Sequence, residues 1–276
     1  MKKRKFDKVI DKYLSFQKNG YSPDEKTFAV FDNPSLLVWK PLNLRIESQM
    51  EFLYSVLMFW HTEEYKHLQR MIDAMHIYYI GLYKARREFN ESITLLSLPF
   101  DMLFMDMFSN NEIKENMIDL AIEIIPQDKD SLYPNYVCIW KIVALLYREQ
   151  FAAKVEQIEQ YLSAQTLDVY DGFLKNLLSD DEAVIDNELS AIMKFRNSRM
   201  GSDSHITNPY FNSKWGCFPV ELLALIRYRY IQGKSIDFTS NEVLQHYIPY
   251  IKSASYEVSP NIVTCIDEVH KNKDTM

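Results

Sequence analysis

Glu63-Glu-Tyr-Lys-His-Leu-Gln-Arg-Met-Ile-Asp-Ala-Met-His-Ile-Tyr-Tyr-Ile-Gly-Leu-Tyr-Lys-Ala-Arg-Arg-Glu88 places Leu68, Ile72, Met75, Tyr79 and Leu82 at steps of three and four. Apolar residues at that period line one side of an α-helix, whereas a half-buried strand would alternate at every second position. The same period recurs along most of the chain. Glycine is scarce, with six in 276 residues, each standing alone. Without clustered glycine there is no loop to cradle a phosphate and no dinucleotide fingerprint. Asn19-Gly20 and Asp171-Gly172 are the tight-turn pairs, and neither lies between alternating stretches. The fold class expected is therefore all-α, an irregular multi-helix bundle of mostly antiparallel helices joined by short connections.

Working outward, the periodicity predicts a first helix over Lys3–Lys18, with Phe6, Val9, Ile10, Tyr13, Leu14 and Phe16 on its buried side. After a loop at Asn33-Pro34, Pro41 opens a long helix to about Trp60, with a break expected at His61-Thr62. Ile93–Phe108 reads as a helix kinked by Pro99, and Ile113–Ile125 as one stopped by Pro126. Tyr136–Arg148, apolar nearly all round, should be buried; Ala152–Leu162, Leu167–Leu178 and Glu182–Arg199 follow. In the last of these Ile185, Leu189, Ile192 and Met193 make a narrow inward stripe. Pro219–Ile231 is apolar on most faces and should be central, closed by Gly233 as a left-handed cap. Thr239 to about Lys252 holds a helix interrupted by Pro249, and the tail from Lys271 should fray. Four Ser/Thr-x-x-Glu boxes mark helix starts: Ser22 with Glu25, Ser109 with Glu112, Ser179 with Glu182, and Thr239 with Glu242. Short extended pieces could form at Phe28-Ala-Val-Phe and Ser235-Ile-Asp-Phe. The polar run Gln127–Ser131, flanked by Pro126 and Pro134, is the expected linker between residues 1–126 and 132–270, the alternative being one continuous domain.

The totals bound the function. A hydrophobic fraction of 47% supports a substantial core. A net charge of −7 disfavours a general nucleic-acid-binding role and suits a basic partner. Three dispersed cysteines, Cys138, Cys217 and Cys265, make neither a disulfide framework nor a zinc site, and fit a reducing compartment. The start Met1-Lys-Lys-Arg-Lys-Phe-Asp-Lys carries no signal-peptide pattern, and no apolar run approaches the roughly 20 residues of a bilayer span. The expected location is the cytoplasm, with no membrane contact.

Candidate chemistry is sparse. Glu64 and His67 have the Glu-x-x-His spacing of di-iron bundles, but such sites need the motif twice. His61, His67 and His76 are spaced by six and nine, which does not gather them on one helix face, and His205 and His246 have no nucleophile assigned to them. The basic start Lys2–Lys5 reads as a solvated turn. Tyr78, Tyr79 and Tyr83 cluster, and Tyr228 and Tyr230 alternate; most should be core, some interface anchors. The acidic stretch Asp168–Glu188 is more suggestive. It reads as helix-dipole compensation or as a negative surface for a basic partner. The expected partner-binding residues are Asp180, Asp181, Glu182 and Asp186.

Several stretches occur in an order that resembles a known family. They are Phe173-Leu-Lys-Asn-Leu-Leu-Ser-Asp-Asp, the helix Ala183–Arg199 ending in basic residues, Phe218-Pro-Val-Glu-Leu-Leu-Ala-Leu-Ile-Arg, Gly233-Lys-Ser-Ile-Asp-Phe, and Tyr247-Ile-Pro. Together Phe173–Tyr250 looks like the C-terminal half of bacterial polymorphic-toxin immunity proteins, most like immunity protein family forty-nine. The resemblance implies a helical cytoplasmic protein, encoded beside a toxin, that inactivates it by binding and not by chemistry. It therefore implies no catalytic residue, no metal and no cofactor, with a cognate toxin as partner and no nucleic acid. The alternatives are a metal-dependent helical enzyme and a helical scaffold unrelated to toxins.

Overall fold

The computed structural model describes residues 40–91, 93, 95–128, 132–162, 168–199, 210, 213–252 and 256–271. The expected first helix, the Ser22 box, the Asn33-Pro34 loop and the extended piece at Phe28 lie outside them. Every regular element among the described residues is an α-helix, as the periodicity predicts, and they hold no strand. The chain divides into two compact units, Met1–Ile93 with Glu257–Met276, and Thr94–Tyr256. This differs from the expected division at Gln127–Ser131, because the helices before and after that run pack on each other inside the second unit.

In the first unit, α1 (Pro41–Thr62) and α2 (Tyr65–Arg87) form an antiparallel hairpin. Proline opens α1, where its missing N–H is no loss. The break expected at His61-Thr62 falls one residue later. Glu63 takes the left-handed conformation, φ 56°, and its N–H bonds to Phe59 O. The Thr62 hydroxyl accepts from the Glu64 N–H at 3.3 Å, so the two-residue turn satisfies its own donors. On α2 the residues Leu68, Ile72, Met75, Tyr79 and Leu82 are all buried, and the burial extends well beyond that stripe.

The α1–α2 crossing is tight at Gly81. A Cβ there would lie 2.9 Å from Arg45 Cγ, 3.1 Å from Leu44 Cβ and 3.1 Å from the Pro41 carbonyl oxygen. Gly81→Val is expected to destabilise by about 2–3 kcal/mol, since the overpacking exceeds the small helix-propensity gain over glycine. Urea denaturation measures this, and an unchanged midpoint would mean the crossing has slack.

Helix α11 (Pro260–Lys271) completes the unit, and the periodicity reading did not include it. It buries Ile262, Cys265, Ile266 and Val269 against α2. Asp73 of α2 fixes its start, accepting from the Ser259 N–H at 2.9 Å and the Ser259 hydroxyl at 2.6 Å. The Tyr79 hydroxyl meets His270 Nε2 at 2.6 Å near its end.

The second unit is built around α3 (Leu98–Phe108) and α9 (Val220–Ile231), which pack on each other. Pro99 stands in the first turn of α3, so it opens the helix where the sequence suggested a kink. Helices α4 (Asn111–Ile124) and α5 (Pro134–Glu159) both pack on α3 and on one another. The first half of α5 is buried, and Phe151 leaves helical geometry at φ −132°, ψ 39°. That break separates the two helices read as Tyr136–Arg148 and Ala152–Leu162. Helices α6 (Asp168–Asn176) and α7 (Glu182–Arg199) pair, and α7 buries Ile185, Leu189, Ile192 and Met193 as expected, together with Arg196. The short α8 (Ser213–Cys217) precedes α9, and α10 (Glu242–Ile251) follows it.

Helix α10 runs unbroken through Pro249. Gly233 has φ 75°, and the bonds Gly233 N–H to Tyr230 O and Lys234 N–H to Arg229 O form a Schellman closure of α9. Residues 235–238 are irregular, not extended strand.

The capping boxes resolve differently from expectation. The residue that accepts from the first free amides is Asn110 for α4, Asp181 for α7 and Asn241 for α10. In each case an Asn or Asp stands between the Ser/Thr and the glutamate, with a stronger acceptor already in cap position. Ser179 and Thr239 instead accept from the N–H of the cap residue two positions on.

Candidate functional site

The four acidic residues singled out by sequence lie at one end of the second unit, and three carry internal bonds. Asp180, 88% exposed, binds Lys234 Nζ at 2.7 Å, and that hydrogen bond holds its carboxyl below the usual range. Asp181 caps α7. Asp186 accepts from the Ser240 N–H at 2.9 Å. Glu182 stands exposed in the first turn of α7, where the helix dipole favours it.

Beneath these acids Arg229 of α9 ties the end together. Its Nη1 donates to Leu177 O at 2.8 Å and Ser179 O at 2.6 Å, and its Nε to Ser235 O at 2.7 Å. Its guanidinium lies over the Phe238 ring. One side chain thus satisfies carbonyls on both the α6–α7 turn and the loop after α9. Leu178, Tyr230 and Ile231, next to these bonded positions, remain exposed.

A second constellation is fully internal and was not anticipated. Arg196 of α7 pairs with Glu221 of α9, both buried, and donates to Trp215 O at 2.7 Å. Its guanidinium sits 4.3 Å from the Tyr210 ring centroid. The Tyr170 hydroxyl donates to Glu221 Oε1 at 2.9 Å and shares a hydrogen bond with Tyr210. Glu221 Oε2 has no hydrogen-bond partner among the described residues. Burial, then the Glu221 carboxylate, pushes both phenols well above their ordinary range, so they stay protonated at neutral pH.

Lys214 of α8 binds Asp101 of α3 at 2.7 Å with both side chains about 1% exposed, and its ammonium lies 4.3 Å from the Trp215 ring centroid. Burial pushes Asp101 up and Lys214 down, and the pairing opposes both shifts. Five-residue α8 is therefore fixed from two sides, by its lysine to α3 and by the Trp215 carbonyl to α7.

Burial raises the Cys217 thiol to about 12 and raises Cys138 further still, which removes the thiolate needed for nucleophilic work. His67 and His76 are pushed down by burial and remain neutral, with His76 Nδ1 at 2.8 Å from Ile72 O. Glu64 pairs with Lys66, not with His67. His246 stands edge-on to Tyr247, and His205 lies outside the described residues. Tyr78, Tyr79 and Tyr83 are core, Tyr228 is half-buried and Tyr230 exposed. Among the described residues no three His, Cys, Asp or Glu are grouped so as to hold a metal ion. No described helix is long and apolar enough to cross a membrane.

The stretches quoted from Phe173 to Tyr250 are joined by these interactions. Arg196–Glu221 links α7 to α9, Arg229 links α9 to the α6–α7 turn and to Ser235, and Phe218 packs on Tyr247 with centroids 4.9 Å apart. No protein-family model matches the chain, and no curated protein or solved structure matches it.

Proposed function

We propose that this chain is a cytoplasmic immunity protein that binds a cognate bacterial toxin and blocks it by occlusion, without catalysis. The observation that carries the reading is the exposure of Asp180, Asp181 and Glu182 at the α6–α7 turn, on a frame closed by Arg229, while Arg196 pairs with Glu221 and Lys214 with Asp101 inside. Such a turn suits holding a protein surface, and the exposed acids suit a basic one. The ordered resemblance of Phe173–Tyr250 to immunity proteins supplies the identity of that protein as a toxin. On this reading Asp180, Asp181, Glu182 and Asp186 belong to the toxin-facing side, and no metal or cofactor takes part.

The test is co-expression with the product of the gene immediately upstream, which this reading requires to carry a toxin domain. The chain is expected to restore growth and to co-elute with that domain as a stoichiometric complex, in metal-free buffer. Growth arrest unrelieved by the chain, with no complex on size-exclusion chromatography, would remove the proposal.

A further inference from the structure

We propose that Leu42, Ile46 and Met50 of α1 form a docking strip for the chain's own N-terminal segment, Lys3–Lys18. The proposal concerns the first unit alone and stands apart from the toxin-binding reading.

Helix geometry joins the three residues. Each step along an α-helix turns by about 100° and rises about 1.5 Å, so positions four apart stack on one side. Leu42, Ile46 and Met50 follow that spacing and make a strip about 12 Å long. They are 53%, 49% and 43% exposed. The strip is turned away from α2. Helix α2 meets α1 through Leu44, Arg45 and Glu51. Leu44 and Glu51 stand about 160° and 180° round the helix from Leu42. Leu53 and Leu57 continue the same side toward the end of α1, and both are buried. Large apolar residues scattered singly on a surface need no explanation, but three in register on one helix side make a face that suits a second amphipathic segment.

The first residues of the chain have the matching pattern. Phe6, Val9, Ile10, Tyr13 and Leu14 recur at steps of three and four, and from Phe6 to Leu14 is eight residues, as from Leu42 to Met50. A helix as short as Lys3–Lys18 is marginal in water by itself and gains its stability from an apolar surface to lie on. Charge favours the same pairing. Residues 1–18 hold seven Lys/Arg against two Asp, in a chain whose total is −7, so the rest of the chain is acidic and attracts them.

The tether selects this occupant over a second copy. Residues 19–39 join the segment to the start of α1, two residues before Leu42 is reached. A linker of that length has an end-to-end distance of about 25 Å, well beyond the strip, and gives an effective concentration of about 1 mM. A contact with a Kd of about 0.1 mM is then closed roughly nine-tenths of the time within one chain, while a second copy at micromolar concentration leaves it open.

The experiment uses the full chain in two arms. Trypsin digestion under native conditions, followed by mass spectrometry, reads cleavage after Lys8 and Lys12, inside the segment. A Leu42→Ser, Met50→Ser variant, checked for native circular dichroism and melting, is expected to be cut there about tenfold faster than the wild-type chain, because cleavage tracks the undocked fraction. In the second arm, Ile10→Cys with Ile46→Cys is treated with a short bismaleimide. Each is the midpoint of its strip, so the pair closes whichever way the segment runs, and the native cysteines Cys138, Cys217 and Cys265 are buried. The expected product is a cross-link within one chain, formed faster than when Ile10→Cys is combined with Val263→Cys on the exposed side of α11. Equal cleavage of the folded variant and the wild-type chain overturns the proposal. So does a cross-link that joins two chains, which makes a second copy the occupant.

Discussion

Arg196→Met is expected to cost about 3–5 kcal/mol of stability, the largest effect of any single substitution considered. The arginine is the counter-charge of Glu221, whose side chain is fully buried and whose second oxygen already has no hydrogen-bond partner among the described residues. Removing the cation leaves a carboxylate in an apolar interior, held by Tyr170 alone. It also removes the donor to Trp215 O and the guanidinium over Tyr210. The double variant Arg196→Met, Glu221→Leu removes both charges, and it should recover a large part of the loss despite the altered Tyr170 environment. Urea denaturation followed by tryptophan fluorescence measures the cycle. A double variant less stable than the sum of the two single changes would mean that the network stabilises beyond its charges.

Lys214→Met has the second-largest expected effect, and it should depend on pH. Burial raises the Asp101 carboxyl, and the Lys214 ammonium is the strongest influence pulling it back. Without the lysine the folded-state pKa climbs further above the unfolded value near 4. A carboxyl raised on folding gives most stability below its unfolded pKa, and that stability is lost as pH rises toward the folded pKa. The deficit of the variant relative to the wild-type chain should therefore be small at pH 4.5 and about 3 kcal/mol by pH 8, with a limiting slope near 1.4 kcal/mol per pH unit. Equal deficits at both pH values would show that Asp101 stays ionised without its partner, for which solvent would have to reach α3.

The elements that the sequence made legible are those decided by neighbours along the chain. The inward stripe Ile185, Leu189, Ile192 and Met193 is a local period, and packing follows it. Gly233 is needed wherever α9 turns left-handed, so its role is readable from one residue. The break near Phe151 and the stop near Thr62 were likewise visible as interruptions of period. The Ser/Thr-x-x-Glu boxes place the caps of α4, α7 and α10 one or two residues too early, because Asn110, Asp181 and Asn241 compete better than serine or threonine for the same amides. Helix α11 carried a usable signal, Ser259-Pro260 before Ile262, Cys265, Ile266 and Val269.

The buried charges were illegible for a different reason. Lys214 and Asp101 lie 113 positions apart, and Arg196 and Glu221 lie 25 apart. No local rule pairs them. What could have flagged them is a charge set inside an otherwise apolar run, as Asp101 is within Leu98–Phe108 and Glu221 within Val220–Ile231. The four acids were located on one end of the unit, but the sequence did not disclose that Asp181 and Asp186 were already engaged by amides.

The route of the chain through the first unit fixes an order of events at birth. Gln69 waits for the Glu257 carbonyl, 188 positions downstream, and Tyr79 for His270, 191 downstream. Closing loops of that length is slow, and here it must also await translation of everything between. The second unit can be complete on the ribosome while α2 still lacks its lid. A message cut short before Pro260 would yield a product with α2 unsealed, ready for recognition by proteases and chaperones as unfinished.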